Sequence, residues 1–236
     1  MIKKALVLTA ALSLTSCEST KNINWSEIGT ALLQSDQISE STIASGLSEA
    51  LKVGTTRAVA SLSKSGGYSS TALKLLSPPE LTKATNTLRK YKLGFIVDNF
   101  ETKMNEAAEK AVVLAGPILI DTISKMTFDD ARQLLNGNDT SITDFFKRKA
   151  GPQLKKSFLP TVNTKMAELG TVKTYNDLMT KYDAIPFTPK IEFDLGNYVT
   201  DKALEGLFAQ LASVEKDIRE NPAARTTELL KKVFSK

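Results

Sequence analysis

The sequence predicts an all-α protein, a single compact domain of about nine or ten helices, and three observations carry that expectation. Apolar residues recur at three- and four-residue steps through most of the chain beyond residue 36. Ser, Thr or Asp starts and Gly stops bracket many of these periodic runs. Period-two alternation is confined to Ile191, Phe193 and Leu195, with no partner strand in view. At 236 residues, 42% hydrophobic and 24% charged, the chain is long and apolar enough to bury one sizeable core.

The N-terminal stretch MIKKALVLTAALSLTSCEST has its own logic. Lys3 and Lys4 form a positive n-region, and Ala5–Leu14 is an apolar h-region. That run is too short to cross a bilayer, which takes about 20 apolar residues, and it reads as a secretory leader. Leu14-Thr15-Ser16-Cys17 resembles a bacterial lipobox. Residues 1–16 are therefore expected to be a cleaved lipoprotein signal peptide, and Cys17 the site of lipid attachment. The alternatives are a plain signal peptide with an incidental cysteine and a buried apolar N-terminus. A single acyl chain, at ~0.8 kcal/mol per buried CH2, anchors marginally, whereas two or three hold durably. Cys17 is the sole cysteine, so an oxidising envelope leaves neither a free thiol nor a disulfide framework. Glu18 resembles Gram-negative signals that send lipoproteins to the outer membrane, which points to its periplasmic face.

Residues 17–35 read as the lipidated cysteine and a polar tether, with a short helix in WSEIGTALLQ; residues 36–236 form the helical domain. Ile43, Leu47, Leu51, Val59 and Leu62 trace the first long helix, closed by Gly66-Gly67 and either continuous or split near Gly54. Ser77-Pro78-Pro79-Glu80 is a helix entrance, with Gly94 as a stop. Phe95–Met126 is the most apolar stretch, with a kink or break expected at Gly116-Pro117. Thr127 caps TFDDARQLLNG, its Asp pair lying in the positive first turn. SITDFFKRKAG repeats the device and is expected to stop at Gly151. Helices over 153–169, broken at Pro160, and 174–182 follow. IPFTPKIEFDLGNY holds one extended segment, 200–220 is amphipathic, and Asn221-Pro222 turns into a last helix ending near Phe234.

The composition excludes much chemistry. The chain has no histidine, which removes Ser-His-Asp and Cys-His nucleophiles, histidine bases and nearly all catalytic zinc sites. Neither a phosphate-binding loop nor a dinucleotide fingerprint occurs. The net charge of +5 falls as Lys3 and Lys4 leave with the leader, and no compact basic cluster interleaved with aromatics points to nucleic acid. Ser61-Leu62-Ser63-Lys64 fits S-x-x-K but lacks its K-T-G companion. Glu40-Ser41 has the Glu-Ser pair of helical lytic transglycosylases without the motif that follows it, and reads as a first-turn carboxylate. Asn136-Gly137-Asn138-Asp139 lacks calcium-loop spacing and reads as a turn. No cofactor and no metal are expected.

Several phrases in order, ISESTIASGLSEALKVGTTRAV, MNEAAEKA, MTFDDARQLLNGNDTSITDFF, GNYVTDKALEGLFAQLASVEKDIRENP and LLKKVF, resemble a bacterial exported family, domain of unknown function 4197. The likeness runs from about Asp36 to Phe234. It implies a compact helical envelope protein and supplies no reaction. It also draws attention to polar residues in apolar company: Asn105, Glu106 and Glu109; Asp129, Asp130 and Arg132; Glu215, Arg219 and Asn221. Asn105 and Glu109 share a helix face, as do Glu215 and Arg219. If the three segments converge they form a buried Arg–carboxylate network, which either fixes helix register or floors a ligand pocket; otherwise each set is caps and surface pairs. The expected function is a non-catalytic, lipid-anchored binding or structural module of the envelope, with a protein or peptidoglycan partner. A carboxylate-based envelope hydrolase and a carrier of an apolar ligand are the alternatives, the latter requiring a dry cavity of several hundred Å3 on the general scale of ligand pockets.

Overall fold

The computed structural model describes residues 40–234, all within the compact unit Ser39–Lys236. The leader, Cys17, the tether and the short helix expected in WSEIGTALLQ lie outside the described residues. Among the described residues nine α-helices follow one another: α1 Glu40–Ser63, α2 Thr82–Lys90, α3 Gly94–Ala111, α4 Ala115–Ser124, α5 Phe128–Leu135, α6 Ser141–Glu168, α7 Thr171–Asp183, α8 Leu195–Glu220 and α9 Glu228–Phe234. Three single turns of 3-10 helix join some of them, and no strand occurs among the described residues.

The long helices α6 and α8 pack along each other, α3 lies against α6, α7 and α8, and α1 closes the bundle against α4, α5, α8 and α9. Each contributes an apolar stripe. In α6 it is Ala150, Leu154, Phe158, Val162 and Met166, at steps of four. In α3, Ala107, Ala108 and Ala111 are fully buried, and their small side chains let neighbouring helices approach.

One expectation left open is resolved and three are corrected. The first helix is continuous: Gly54 is buried against Val214 of α8, so tertiary packing outweighs its weak propensity. Gly94 opens α3 rather than closing α2. The stop is made at Lys92, whose φ of 61° is left-handed, while the Leu93 N–H donates to the Leu88 carbonyl (2.9 Å) in the pattern that ordinarily uses glycine.

The break in the apolar stretch falls at Val112–Leu114, just before Gly116-Pro117, so that Pro117 sits in the first turn of α4, where its missing N–H costs little. Finally, α6 runs unbroken through Gly151, Pro152 and Pro160. Both prolines lie on its exposed side, and the residues four earlier, Arg148 and Lys156, are exposed as well. The carbonyls that lose their helical donor can therefore turn to water. Residues 191–194 alternate half-buried and exposed, as an extended segment should, but pair with nothing.

Candidate functional site

Two sets of polar residues lie inside the bundle. On α3, Glu101, Asn105 and Glu109 are buried at four-residue spacing on one face. They hold the segment that follows α1. Glu109 Oε1 accepts from the backbone N–H of Tyr68 (3.2 Å) and Ser69 (3.5 Å) and from the Ser69 hydroxyl (3.5 Å). Asn105 accepts from the Leu75 N–H (2.9 Å), and its amide donates to the carbonyls of Leu75 (2.8 Å) and Glu101 (2.7 Å). Glu101 accepts from the Ser77 N–H (3.0 Å) and hydroxyl (2.8 Å), with Lys74 at 3.6 Å. The segment cannot form a helix or sheet of its own, so these side chains satisfy backbone groups that would otherwise be buried unpaired.

Tyr68 locks the far side. Its hydroxyl donates to the Ala203 carbonyl (2.7 Å), and its ring lies so close to Gly206 that a Cβ there would stand 2.5 Å from Cε1. Burial, reinforced by the Glu109 charge, pushes the phenol far above its ordinary range, so it stays protonated and donating.

The second set joins three helices. Glu215 of α8 takes the open N-terminus of α6: Oε1 accepts from the Ile142 N–H (3.0 Å), and Oε2 from the Thr143 N–H and hydroxyl (both 2.9 Å). Arg219, one turn on, donates from Nε (3.2 Å) and Nη2 (3.1 Å) to Oε1 of Glu215. It also donates to the carbonyls of Leu134 (2.8 Å) and Leu135 (3.2 Å) at the end of α5, and lies 5.8 Å from the Phe234 ring centre. The carboxylate thus meets the positive end of one helix and the guanidinium the negative end of another. Their side chains are only 3% and 10% exposed, so the pair is a desolvated one. Beside it, α1, α6, α8 and α9 leave an apolar crevice of about 20 Å3, lined in part by Thr55, Phe146, Leu211 and Phe234. The Thr55 hydroxyl is buried there with no hydrogen-bond partner.

The remaining sequence-predicted residues go elsewhere. Asp130 forms a capping box with Thr127, the hydrogen bonds from the Thr127 hydroxyl and N–H holding its carboxyl below the usual range. Asp129 and Arg132 are exposed on α5. Glu106 pairs with Lys103 at the surface (2.8 Å), and Asn221 caps the 3-10 turn Pro222–Ala224 through the Ala223 N–H. The three sets therefore do not close into one network. Sequence reading missed Glu101, Tyr68 and Ser77, although the spacing of Glu101 from Asn105 and Glu109 carried the signal for the first.

Several open concavities mark the surface. One of about 220 Å3 brings together Asp121 and Asp130 with Lys125 and Lys149. Asp121 is bound to Lys125 (2.6 Å), and Asp130 is shifted toward the charged form. A glycosidase acid requires the opposite shift. A groove of about 500 Å3 runs between residues 72–79 and α8, with Lys74, Tyr198, Lys202 and Glu205 on its walls. Among the described residues no group of three or more Asp, Glu, His or Cys could hold a metal ion. No single described helix is long and apolar enough to cross a membrane.

What these features define is an all-α protein whose buried charges serve as fasteners between chain segments. The chain belongs to the family described as protein of unknown function (DUF4197), whose profile matches residues 37–235. No curated protein and no solved structure matches it.

Proposed function

We propose that the chain is a lipid-anchored, non-catalytic module of the bacterial envelope, held through Cys17 on the periplasmic face of the outer membrane and presenting its helical body to a partner. One observation carries the non-catalytic half: each of the buried carboxylates Glu101, Glu109 and Glu215 has at least one oxygen engaged by the chain's own N–H and O–H donors. A carboxylate buried and engaged in this way fastens the chain's own backbone, which is a structural task rather than proton transfer to a substrate. The lipobox and the preceding leader support the anchored half.

The test is metabolic labelling with radioactive palmitate in a Gram-negative host, followed by membrane fractionation. Wild type is expected to take up label and sediment with the outer membrane, and Cys17→Ala to do neither. Unlabelled wild type, or label retained in Cys17→Ala, overturns the anchor. Release of soluble fragments from purified peptidoglycan by the wild type, lost in Asp130→Asn, overturns the non-catalytic reading.

A further inference from the structure

One end of the bundle differs from the rest of the surface. The first turn of α3 lies beside the last turn of α7, where Phe95, Ile96, Thr180 and Lys181 border a concavity of about 430 Å3. The α2–α3 turn and the loop leaving α7 therefore emerge at the same end. Three aromatic rings project there without cover: Tyr91 is 63% exposed, Phe95 67% and Phe187 104%.

Backbone strain marks the same end. Among the described residues the two non-glycine positions with positive φ are Lys92 (61°) and Phe187 (64°). A left-handed conformation is costly for a bulky side chain and persists only where surroundings impose it. For Phe187 the imposition is visible. The Thr188 hydroxyl donates to the carbonyls of Ile185 (2.9 Å) and Tyr182 (3.2 Å), folding the loop back on the end of α7. Strain is thus spent on holding an aromatic ring in water, where it packs against nothing.

The charge pattern says what would cover it. Across 89–98 and 181–192 there are five cations against three carboxylates. Arg89 is tied to Asp98 (2.8 Å), but Lys90, Lys92, Lys181 and Lys190 are exposed and make no ion pair. Elsewhere many lysines are paired, as Lys125 with Asp121, Lys173 with Asp177 and Lys202 with Glu205. Exposed aromatics with unpaired lysines next to them in sequence are the composition of a membrane–water interface, with rings at headgroup depth and ammonium groups on lipid phosphate.

We propose that this end is a membrane-docking tip, in which Tyr91, Phe95 and Phe187 enter the headgroup layer of an anionic phospholipid bilayer and the four free lysines meet its phosphates. Docking of this kind orients the body on the bilayer and needs no acyl chain.

The test uses the full chain carrying Cys17→Ser, so its outcome is independent of the lipid anchor, and Trp25→Phe, which removes the only tryptophan. A reporter is then introduced as Phe187→Trp or, for comparison, as Phe128→Trp at an exposed ring on α5. With phosphatidylglycerol-containing vesicles the reporter at 187 is expected to shift to the blue and be quenched by brominated lipid, while the reporter at 128 stays in water. Lys92→Glu/Lys181→Glu, or Lys90→Glu/Lys190→Glu should the first pair misfold, is expected to weaken binding roughly tenfold or more, as is high salt. An unshifted emission at 187, an equal shift at 128, or a shift indifferent to charge reversal and salt overturns the proposal.

Discussion

Glu109 and Glu215 are both buried carboxylates that bind backbone N–H groups, yet they are neutralised differently. Glu215 faces a helix N-terminus 72 residues away in sequence and a guanidinium one turn on along its own helix, which in turn reaches the end of α5. Glu109 has no cation and is held by N–H and O–H donors of a single irregular segment. The first joins three helices and belongs to the body as a whole; the second fastens a strap to it. The difference teaches that a buried charge is global or local according to how many separate elements its hydrogen bonds join.

The sharpest break in that contrast is Glu215→Ala. It strands Arg219 unpaired and opens the first turn of α6, so a loss of about 3–5 kcal/mol is expected in urea unfolding, with one cooperative transition. Replacing both partners, Glu215→Leu with Arg219→Met, should recover much of that loss, because the desolvation cost disappears with the charges. If the double variant is no better than the single, the pair contributes net attraction and not merely mutual neutralisation.

Glu109→Ala is expected to cost less, about 1–3 kcal/mol, and to act locally. Amide exchange and proteolytic nicking should rise across residues 66–77 while α6 and α8 keep their protection. Uniform loss of protection would make the strap part of the global unit. Phe187→Gly should go the other way, stabilising the fold by about 1 kcal/mol through relief of left-handed strain, read as a raised urea midpoint.

The smallest effect concerns pH. Asp130 and Asp194 have carboxyls lowered by the caps they form with Thr127 and Asn197. Each contributes stability that is present above the unfolded carboxyl pKa of about 3.9 and lost as pH falls through the lower folded value. Asp130→Asn should therefore lower stability slightly at neutral pH and leave it nearly unchanged in strong acid, so that urea unfolding followed across pH shows a flatter acid limb.

These regions also mark what could be read in advance. The Thr127–Asp130 cap was legible because both partners lie within one turn. The Glu215–Arg219 pair was legible by its spacing, but its two helix ends were not, since Thr143 lies 72 residues away. Asn105 and Glu109 were visible as a shared face, whereas the strap they hold has no periodicity to announce it. Continuity of α6 was hidden for a different reason. Whether a proline breaks a helix depends on which side of the helix faces water, and that is decided by the partners of α6.

The close seat of α9 on α1 has a consequence for the order in which the chain becomes whole. Gly46 leaves room for Val233, and Arg57 reaches the Ala224 carbonyl 167 positions later. A ribosome releases α1 long before the residues that cover it, so the apolar flank of α1 waits until almost everything else has been synthesised. Under the export proposed above, in which the chain threads a translocation pore as an unfolded strand, that delay is an advantage: the knot is tied last.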